Sequence, residues 1–155
     1  MDLLLRLIVL MFAALATGGL LVNWIGLARA MARITSPQAY AEFHQATNHT
    51  FDPYMPIVVG GSILGGIILA VRSPGVGSVS GNLAIFGAIG YAAVIAITLP
   101  TNLRINKIIA RWPTDAPPSD WKTLRARWIR FHIVRTLVSL PALASYILCC
   151  LLELM

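Results

Sequence analysis

The chain has 155 residues, of which 57% are hydrophobic and only 12% charged, and its mean hydropathy is +0.76. This composition excludes an ordinary soluble domain, and the apolar residues come in runs long enough to cross a bilayer. The formal net charge of +6 is not accompanied by a nucleic-acid-binding motif. In a membrane protein this excess indicates topology and contacts with lipid headgroups, so we expect no nucleic-acid partner.

Four apolar runs predict an all-α integral membrane protein, a four-helix bundle formed by one domain. The predicted spans cover residues 3–27, 54–72, 82–111 and 121–152. Asn82 is the expected cap of the third span, Pro100 should kink that span, and Pro141 should bend the fourth. Gly61 and Gly65, four residues apart in the second span, would let a neighbouring helix approach closely.

A short interfacial helix is predicted in the first loop. Ser36 and Pro37 have the pattern of a helix start, with the serine as cap and the proline in the first turn. Residues 38–51 are amphipathic, and Pro53 and Pro56 should end the helix. We expect this helix to lie at the membrane surface and to cap the bundle.

The histidines of this short helix point in opposite directions. Tyr40 and His44 share one face, whereas His49 lies opposite them. The simpler interpretation is a loop helix with an incidental histidine. The alternative is that His44 belongs to a site formed with other segments.

Polar side chains also follow one side of the third span. Tyr91, Thr98, Asn102 and Asn106 fall along this side, and the two asparagines are one helical turn apart. Asparagines at a helix end are often satisfied by water or by a neighbouring carbonyl, so this pattern alone does not establish a site.

The fourth span opens with a polar and aromatic stripe on one face of an otherwise apolar helix. At about 100° per residue, six side chains fall within roughly 80° of one another. These side chains are Trp121, Arg125, Trp128, His132, Arg135 and Ser139. Polar groups near a bilayer are costly, so they are usually paired or functional.

Positive charges are concentrated in the loops that follow the first and third spans. The positive-inside rule therefore predicts that residues 28–53 and 104–130 are cytoplasmic, in a multi-pass protein of the plasma membrane. This topology brings the polar ends of three segments to one membrane face. Their convergence has two interpretations, a functional site or a hydrogen-bond network that only fastens the helices.

The residue types at this face suit proton transfer better than hydrolysis. The sequence has no paired carboxylates at the polar end, no Ser-His-Asp order and no phosphate-binding glycine loop. A neutral histidine, His132 or His44, could take a proton from an acidic C–H group or a phenol. Asn102, Asn106 and Arg135 could then stabilise the resulting oxyanion.

Several neighbouring residues are candidates for substrate binding. Trp128 and Trp121 offer flat apolar faces to an aromatic substrate. The further candidates are Tyr40, Tyr91, Gln45 and Arg125. Three histidines could instead bind a metal or haem, but the opposed direction of His49 argues against a three-histidine site.

A resemblance to a known family rests on short motifs spread over nearly the whole chain. They are a His-Gln pair in the first loop, Pro-x-Asn-x-x-x-Asn at the end of the third span, and Trp-(x)6-Trp-x-x-x-His-x-x-Arg in the fourth. The matching residues are His44, Gln45, Pro100, Asn102, Asn106, Trp121, Trp128, His132 and Arg135. This pattern resembles the anthrone-oxygenase-like family of small four-span membrane proteins. The resemblance implies oxidation of anthrones to quinones with dioxygen as co-substrate and no organic cofactor.

Three hypotheses follow. The first is a cofactor-independent oxygenase that oxidises a phenolic or anthrone-like substrate by histidine-assisted deprotonation. The second is a non-enzymatic membrane scaffold or partner subunit whose polar stripe fastens the bundle. The third is a haem or metal protein with His44 and His132 as ligands. The expected partners are membrane lipid and a small aromatic or phenolic substrate, and assembly into a homo-oligomer is left open.

Overall fold

The computed structural model describes residues 3–52, 54–72 and 77–154, and the regular elements in these ranges are helices. Four of the described helical segments are long and apolar enough to cross a membrane. They are Leu3–Arg33, Tyr54–Arg72, Val79–Ile109 and Trp121–Leu152. The predicted all-α membrane bundle is therefore confirmed.

The first span combines three helical pieces. Helix α1 (Leu3–Val22) runs into a π-helical segment (Asn23–Ala28), and α2 (Arg29–Arg33) follows directly. The helix thus continues beyond Leu27, where the sequence predicted its end. Long arginine side chains such as Arg29 can extend to polar surroundings while their backbone remains helical, so a charged residue need not end a span.

Helix α3 (Pro37–Phe51) is the short helix of the first loop. Its predicted start is confirmed, because the Ser36 hydroxyl accepts a hydrogen bond from the Ala39 N–H and Pro37 occupies the first turn. Pro53 lies outside the described residues. Pro56 does not end a helix as predicted but lies in the first turn of the next one, where a missing N–H costs no intrahelical bond.

Helix α4 (Tyr54–Arg72) packs closely against α1 through its glycines. A Cβ added at Gly65 would lie 2.8 Å from a methyl group of Val9, and one added at Gly61 would overlap the ring of Phe12. These contacts confirm the predicted close approach.

The third span consists of two helices, α5 (Val79–Thr98) and α6 (Asn102–Ile109). Ser78, not Asn82, caps α5, because its hydroxyl accepts from the Gly81 N–H at 3.0 Å. The expected kink is a full interruption around Pro100, where Thr101 leaves helical geometry with φ −116° and ψ −89°. Proline lacks the N–H that would continue the helical ladder.

Helix α7 (Trp121–Leu152) is continuous through Pro141 and completes the bundle. It packs against α1 and α5, and α4 packs against the same two helices, so the four spans form a closed ring. The core of the ring contains the buried rings of Tyr91 and Tyr146. A second buried cluster joins α2, α3, α6 and the start of α7, and it includes Tyr40, Trp121 and Trp128.

Candidate functional site

A cavity of about 320 Å³ lies where the four-helix ring meets the cluster around α3 and α6. Its volume is near the lower end of the ~300–1,000 Å³ typical of small-molecule sites. Most of its wall is apolar. Polar side chains reach the wall from several elements, and they are Asn23, Thr47, Asn48, Asp52, Thr98, Asn106, His132 and Arg135.

Arg135 is held in this wall by His132, one helical turn earlier on α7. Its Nη2 and Nε atoms lie 2.7 and 3.2 Å from Nδ1 of His132. The other ring nitrogen, Nε2, lies 3.0 Å from the Leu20 carbonyl oxygen, which can only accept. The ring therefore carries its proton on Nε2 and accepts from Arg135 at Nδ1. In this arrangement His132 is neutral.

Because His132 is neutral, it does not compensate the positive charge of Arg135. Nη1 of Arg135 donates to the hydroxyl of Thr98 at 3.2 Å, which is also uncharged. Among the described residues no carboxylate lies within ion-pairing distance of Arg135. Asp52 in the same wall attracts Arg135 from beyond ion-pairing distance. The guanidinium therefore remains able to form a direct contact with an anionic oxygen of a ligand.

Asp52 is the acidic residue in the cavity wall, and it lies at the end of α3. Loss of hydration raises the pKa of its carboxyl group above the usual value, and the charges of Arg135 and His49 offset part of this rise. Asp52 is exposed, so it marks the solvent side of the cavity.

Asn106 is the second donor at the cavity, and its orientation is fixed by two ring N–H groups. Trp128 Nε1 donates to Asn106 Oδ1 at 2.7 Å, and His44 Nε2 lies 3.3 Å from the same oxygen. Because an amide oxygen only accepts, His44 donates from Nε2, and its Nδ1 accepts from the Tyr40 hydroxyl at 3.0 Å. The Nδ2 group of Asn106 has no partner among the described residues and remains for a ligand.

His44 itself does not line the cavity but lies behind Asn106 and Trp128. Burial lowers its pKa to about 4, although the hydrogen bond to Asn106 works in the opposite direction. Burial also raises the pKa of Tyr40 above its usual value. Both side chains are therefore neutral near pH 7, and they act as a hydrogen-bonded support for Asn106.

Trp128 connects the two donors. Its ring stacks on His132 with a centroid distance of 5.0 Å and an interplanar angle of 8°, and it meets His44 edge-on at 5.1 Å. Asn102 donates from Nδ2 to the Trp128 carbonyl at 2.9 Å, so it ties α6 to α7 without lining the cavity. Of the tryptophans named as candidates from the sequence, Trp128 alone reaches the cavity wall.

The other candidate binding residues hold helices together away from the cavity wall. Gln45 donates to the carbonyls of Ile109 and Trp112, at 2.9 and 3.1 Å, and so caps the end of α6. Tyr91 donates to the Ala13 carbonyl at 2.9 Å inside the ring.

Arg125 has the same structural role at the end of α2. It donates to the carbonyls of Met31 and Ile34, at 2.9 and 2.6 Å. Its guanidinium also lies 4.7 Å from the ring centre of Trp121 and 5.7 Å from that of Tyr40. These aromatic rings are buried against one another, so they are not available to a ligand in the cavity.

Sequence reasoning did not name five polar residues of the wall as site residues, and they are Asn23, Thr47, Asn48, Asp52 and Thr98. Asn23 carried a usable signal, because a single asparagine near the end of an apolar run is costly unless it has a partner or a ligand. Thr98 carried a weaker signal. It lies on the polar side of the third span with the two asparagines, but a threonine can equally bond its own helix, and here it donates to the Val94 carbonyl.

The side chains of the site are poorly suited to binding a metal. Within the described ranges no three His, Cys, Asp or Glu side chains are grouped so that they could hold a metal ion. Both ring nitrogens of His44 and of His132 already have hydrogen-bond partners. Either ring would have to give up one of these bonds to become a haem or metal ligand.

The family model described as anthrone oxygenase matches residues 43–145. The chain belongs to the anthrone oxygenase family. The match confirms the resemblance and includes α6 and the cavity-lining part of α7, while comparison with curated proteins and with solved structures gives no match. Membership of the anthrone oxygenase family indicates an oxygenase-type function.

Proposed function

We propose that this protein is a cofactor-independent oxygenase, which oxidises a phenolic or anthrone-like substrate to a quinone. One observation carries the proposal. Arg135 is oriented in an apolar cavity by the neutral ring of His132, and among the described residues it has no carboxylate partner. Such a group stabilises an enolate or phenolate oxygen more than it stabilises the neutral substrate.

The first step is deprotonation of the substrate. The substrate oxygen takes the place of His132 Nδ1 as acceptor for the Arg135 guanidinium, and Nδ2 of Asn106 supplies a second hydrogen bond. Nδ1 of His132 is then free to accept the proton from the acidic C–H group. Substrate binding and activation of the base are thus coupled. When the substrate oxygen binds Arg135, it frees Nδ1 of His132, which is the atom that takes the proton.

The second step is reaction with dioxygen. The carbanion gives its electrons to dioxygen, a C–O bond forms, and the proton held by His132 converts the product into a hydroperoxide. Loss of water then leaves a carbonyl group. The balance is one CH₂ group and one O₂ giving one C=O and one H₂O, so neither an external reductant nor an organic cofactor is needed.

The remaining polar residues position these groups. In this proposal His44 is not the base, because it lies behind Asn106 and both of its nitrogens are engaged. Trp128 supports His132 by stacking and Asn106 by its N–H. We further propose that residues 28–53 and 104–130 face the cytoplasm from the plasma membrane, where an apolar aromatic substrate would enter from the lipid.

Oxygen uptake by the detergent-purified protein, with anthrone as substrate, tests this function. We expect one O₂ consumed per quinone formed, in a preparation without a haem absorption band or stoichiometric metal. His132→Gln should be slower by about 100-fold, whereas His49→Gln, a matched change at an exposed position, should behave like the wild type. Absence of uptake, or full activity of a folded His132→Gln variant, would refute the assignment.

A scaffold role is the second candidate, and it is favoured by the hydrogen bonds that fasten helices. Asn102 ties α6 to α7, and Gln45 ties α3 to the end of α6. A scaffold needs these residues but has no use for a guanidinium in the cavity wall that forms no direct ion pair with a carboxylate of the described residues. Thermal stability and oxygen uptake of variants at Asn102 and Arg135 therefore separate the two functions.

A further inference from the structure

Two buried amides in the cavity wall have hydrogen-bonding capacity that the protein does not use. Asn23 is 6% exposed and Asn48 is 8% exposed. Oδ1 of Asn23 and Nδ2 of Asn48 have no hydrogen-bond partner among the described residues. Both side chains line the cavity. Unpartnered buried polar atoms are rare and costly, and here they lie where a ligand would bind.

The local structure accounts for the position of each amide. Asn23 is the first residue of the π-helical segment that interrupts the first span, and such segments often occur at functional sites. Asn48 lies one helical turn after His44 on α3, on the face turned towards the bundle. The two amides thus reach the cavity from elements other than α6 and α7, which carry Asn106 and Arg135.

Two other amides at this end of the molecule, which do not line the cavity, donate hydrogen bonds to the protein. Asn102 donates to the Trp128 carbonyl, and Gln45 donates to two carbonyls at the end of α6. The remaining unpartnered buried side-chain atom among the described residues is Nε of Arg6, whose Nη atoms bind Glu153 and the Cys150 carbonyl. Side-chain amide groups without a hydrogen-bond partner are therefore found at the cavity and are not spread through the core of the described residues.

We propose that Asn23 and Asn48 form a second recognition site in the cavity, which binds a hydroxyl group of the aromatic substrate. This inference rests on the proposed function for its first contact, in which another oxygen of the substrate binds Arg135 and Asn106. A hydroxyl group both donates and accepts, so it can satisfy an amide oxygen and an amide N–H. If both amides were flipped, one donor and one acceptor would still remain for the hydroxyl group.

Such a site determines specificity. A cavity that presents buried polar groups to a ligand discriminates against a ligand that lacks the matching hydroxyl, because those groups then stay unpaired. Asn23 and Asn48 would thus favour aromatic compounds with two separated oxygens over compounds with one.

Calorimetric titration of the detergent-purified wild type, under anaerobic conditions, tests the proposal with 1-naphthol and 1,5-dihydroxynaphthalene. Each offers one hydroxyl to Arg135, and only the second compound offers another to the asparagines. We expect the wild type to bind the diol about 10-fold more tightly. Asn23→Leu and Asn48→Leu should lose this preference while keeping their affinity for 1-naphthol and their thermal stability. Asn82→Leu, an exposed control on α5, should keep the preference.

Three results would overturn the proposal. They are equal affinities in the wild type, a preference that survives in both leucine variants, and no binding of either compound. Equal affinities would mean that the two amides are satisfied by water or are only structural. Because the test measures selective binding, its result is independent of oxygen uptake. A protein that prefers the diol but consumes no oxygen would refute the proposed oxygenase and retain the recognition site.

Discussion

Arg135 donates to Nδ1 of His132 at 2.7 Å, and His132 donates from Nε2 to the Leu20 carbonyl at 3.0 Å. A cation is thereby held by a neutral ring that is itself fixed to a neighbouring helix. The arrangement orients the guanidinium without cancelling its charge. A ligand oxygen that replaces His132 as the acceptor for Arg135 also frees Nδ1 of His132. This basic nitrogen then lies beside the bound oxygen.

Replacement of Arg135 by glutamine tests the role of this charge. The glutamine side chain would be uncharged but could still donate to His132, so we expect the fold to survive. Oxygen uptake with anthrone should fall by about 100-fold or more, because an oriented donor to a developing oxyanion is worth about 10²–10³ in rate. Arg135→Lys should be intermediate, since it keeps the charge but loses the planar fork. Equal rates for wild type and Arg135→Gln would show that the charge has no part in the reaction.

Trp128→Phe tests the support of Asn106. The substitution keeps an aromatic ring beside His132 but removes the N–H that donates to Asn106 Oδ1 at 2.7 Å. Asn106 can then rotate, so we expect oxygen uptake to fall roughly 10-fold and the free energy of unfolding to fall by about 1 kcal/mol. Trp24→Phe, a tryptophan outside the cavity wall, is the control. A rate equal to that of the control would show that the tryptophan N–H does not matter.

The pH dependence of stability should report on His44. Its pKa is lowered to about 4 in the folded protein from 6.5. The unfolded chain therefore binds more protons between these values, and stability falls as the pH drops from about 6.5 towards 4. The loss is at most about 3 kcal/mol. Thermal unfolding across this range should show a shallower slope for His44→Gln than for the wild type, and identical slopes would contradict the assignment.

The buried ion pair at the opposite end of the bundle should contribute to the stability of the protein but not to oxygen uptake. Arg6 Nη2 lies 2.8 Å from Glu153 Oε2, and Nη1 donates to the Cys150 carbonyl at 3.0 Å. Arg6→Gln takes the cationic partner away from the buried Glu153 carboxylate, so it should lower the free energy of unfolding by roughly 3–5 kcal/mol. Oxygen uptake per folded molecule, measured well below the unfolding temperature, should be unchanged. A rate that falls with full retention of stability would require a connection to the cavity that the structure does not show.

Two glycines on α4, Gly60 and Gly65, provide a test of helix packing. A Cβ at Gly65 would lie 2.8–3.2 Å from three atoms of Val9, a buried and stiff β-branched residue, whereas a Cβ at Gly60 would meet nothing within 4 Å. We expect Gly65→Ala to lower the free energy of unfolding by about 1–3 kcal/mol. Gly60→Ala should be neutral or slightly stabilising, because alanine favours helix. Thermal unfolding in detergent compares the two, and equal midpoints would contradict the tight α1–α4 contact.

The sequence predicted the bundle because long apolar runs determine which segments can cross a membrane. It also brought His132, Arg135, Asn106 and Trp128 to one end, through helical periodicity and the count of spans. Periodicity describes one helix at a time, however. It could not show that Tyr40 and Trp121 bury their faces against each other, or that His44 lies behind the cavity wall.

Local departures from regular helix were also beyond the sequence. Nothing in the apolar composition of the first span predicted the π-helical segment at Asn23. The sequence predicted a kink at Pro100, but not that the helix would be interrupted there. Asn82 is a good capping residue, but Ser78 caps α5 because the helix begins one turn earlier. Several residues can serve as a cap, and tertiary packing selects one of them.

The central claim is that Arg135 and Asn106 stabilise a bound oxyanion, and spectroscopic titration of 1-naphthol bound to the protein tests it most directly. Absorbance distinguishes naphthol from naphtholate, so the pKa of the bound ligand can be compared with its value in protein-free detergent. We expect binding to lower the ligand pKa by about 1 or more, as a nearby cation does for a partly buried acid. This effect should vanish in Arg135→Gln. A pKa that is unchanged or raised on binding to the wild type would contradict the account.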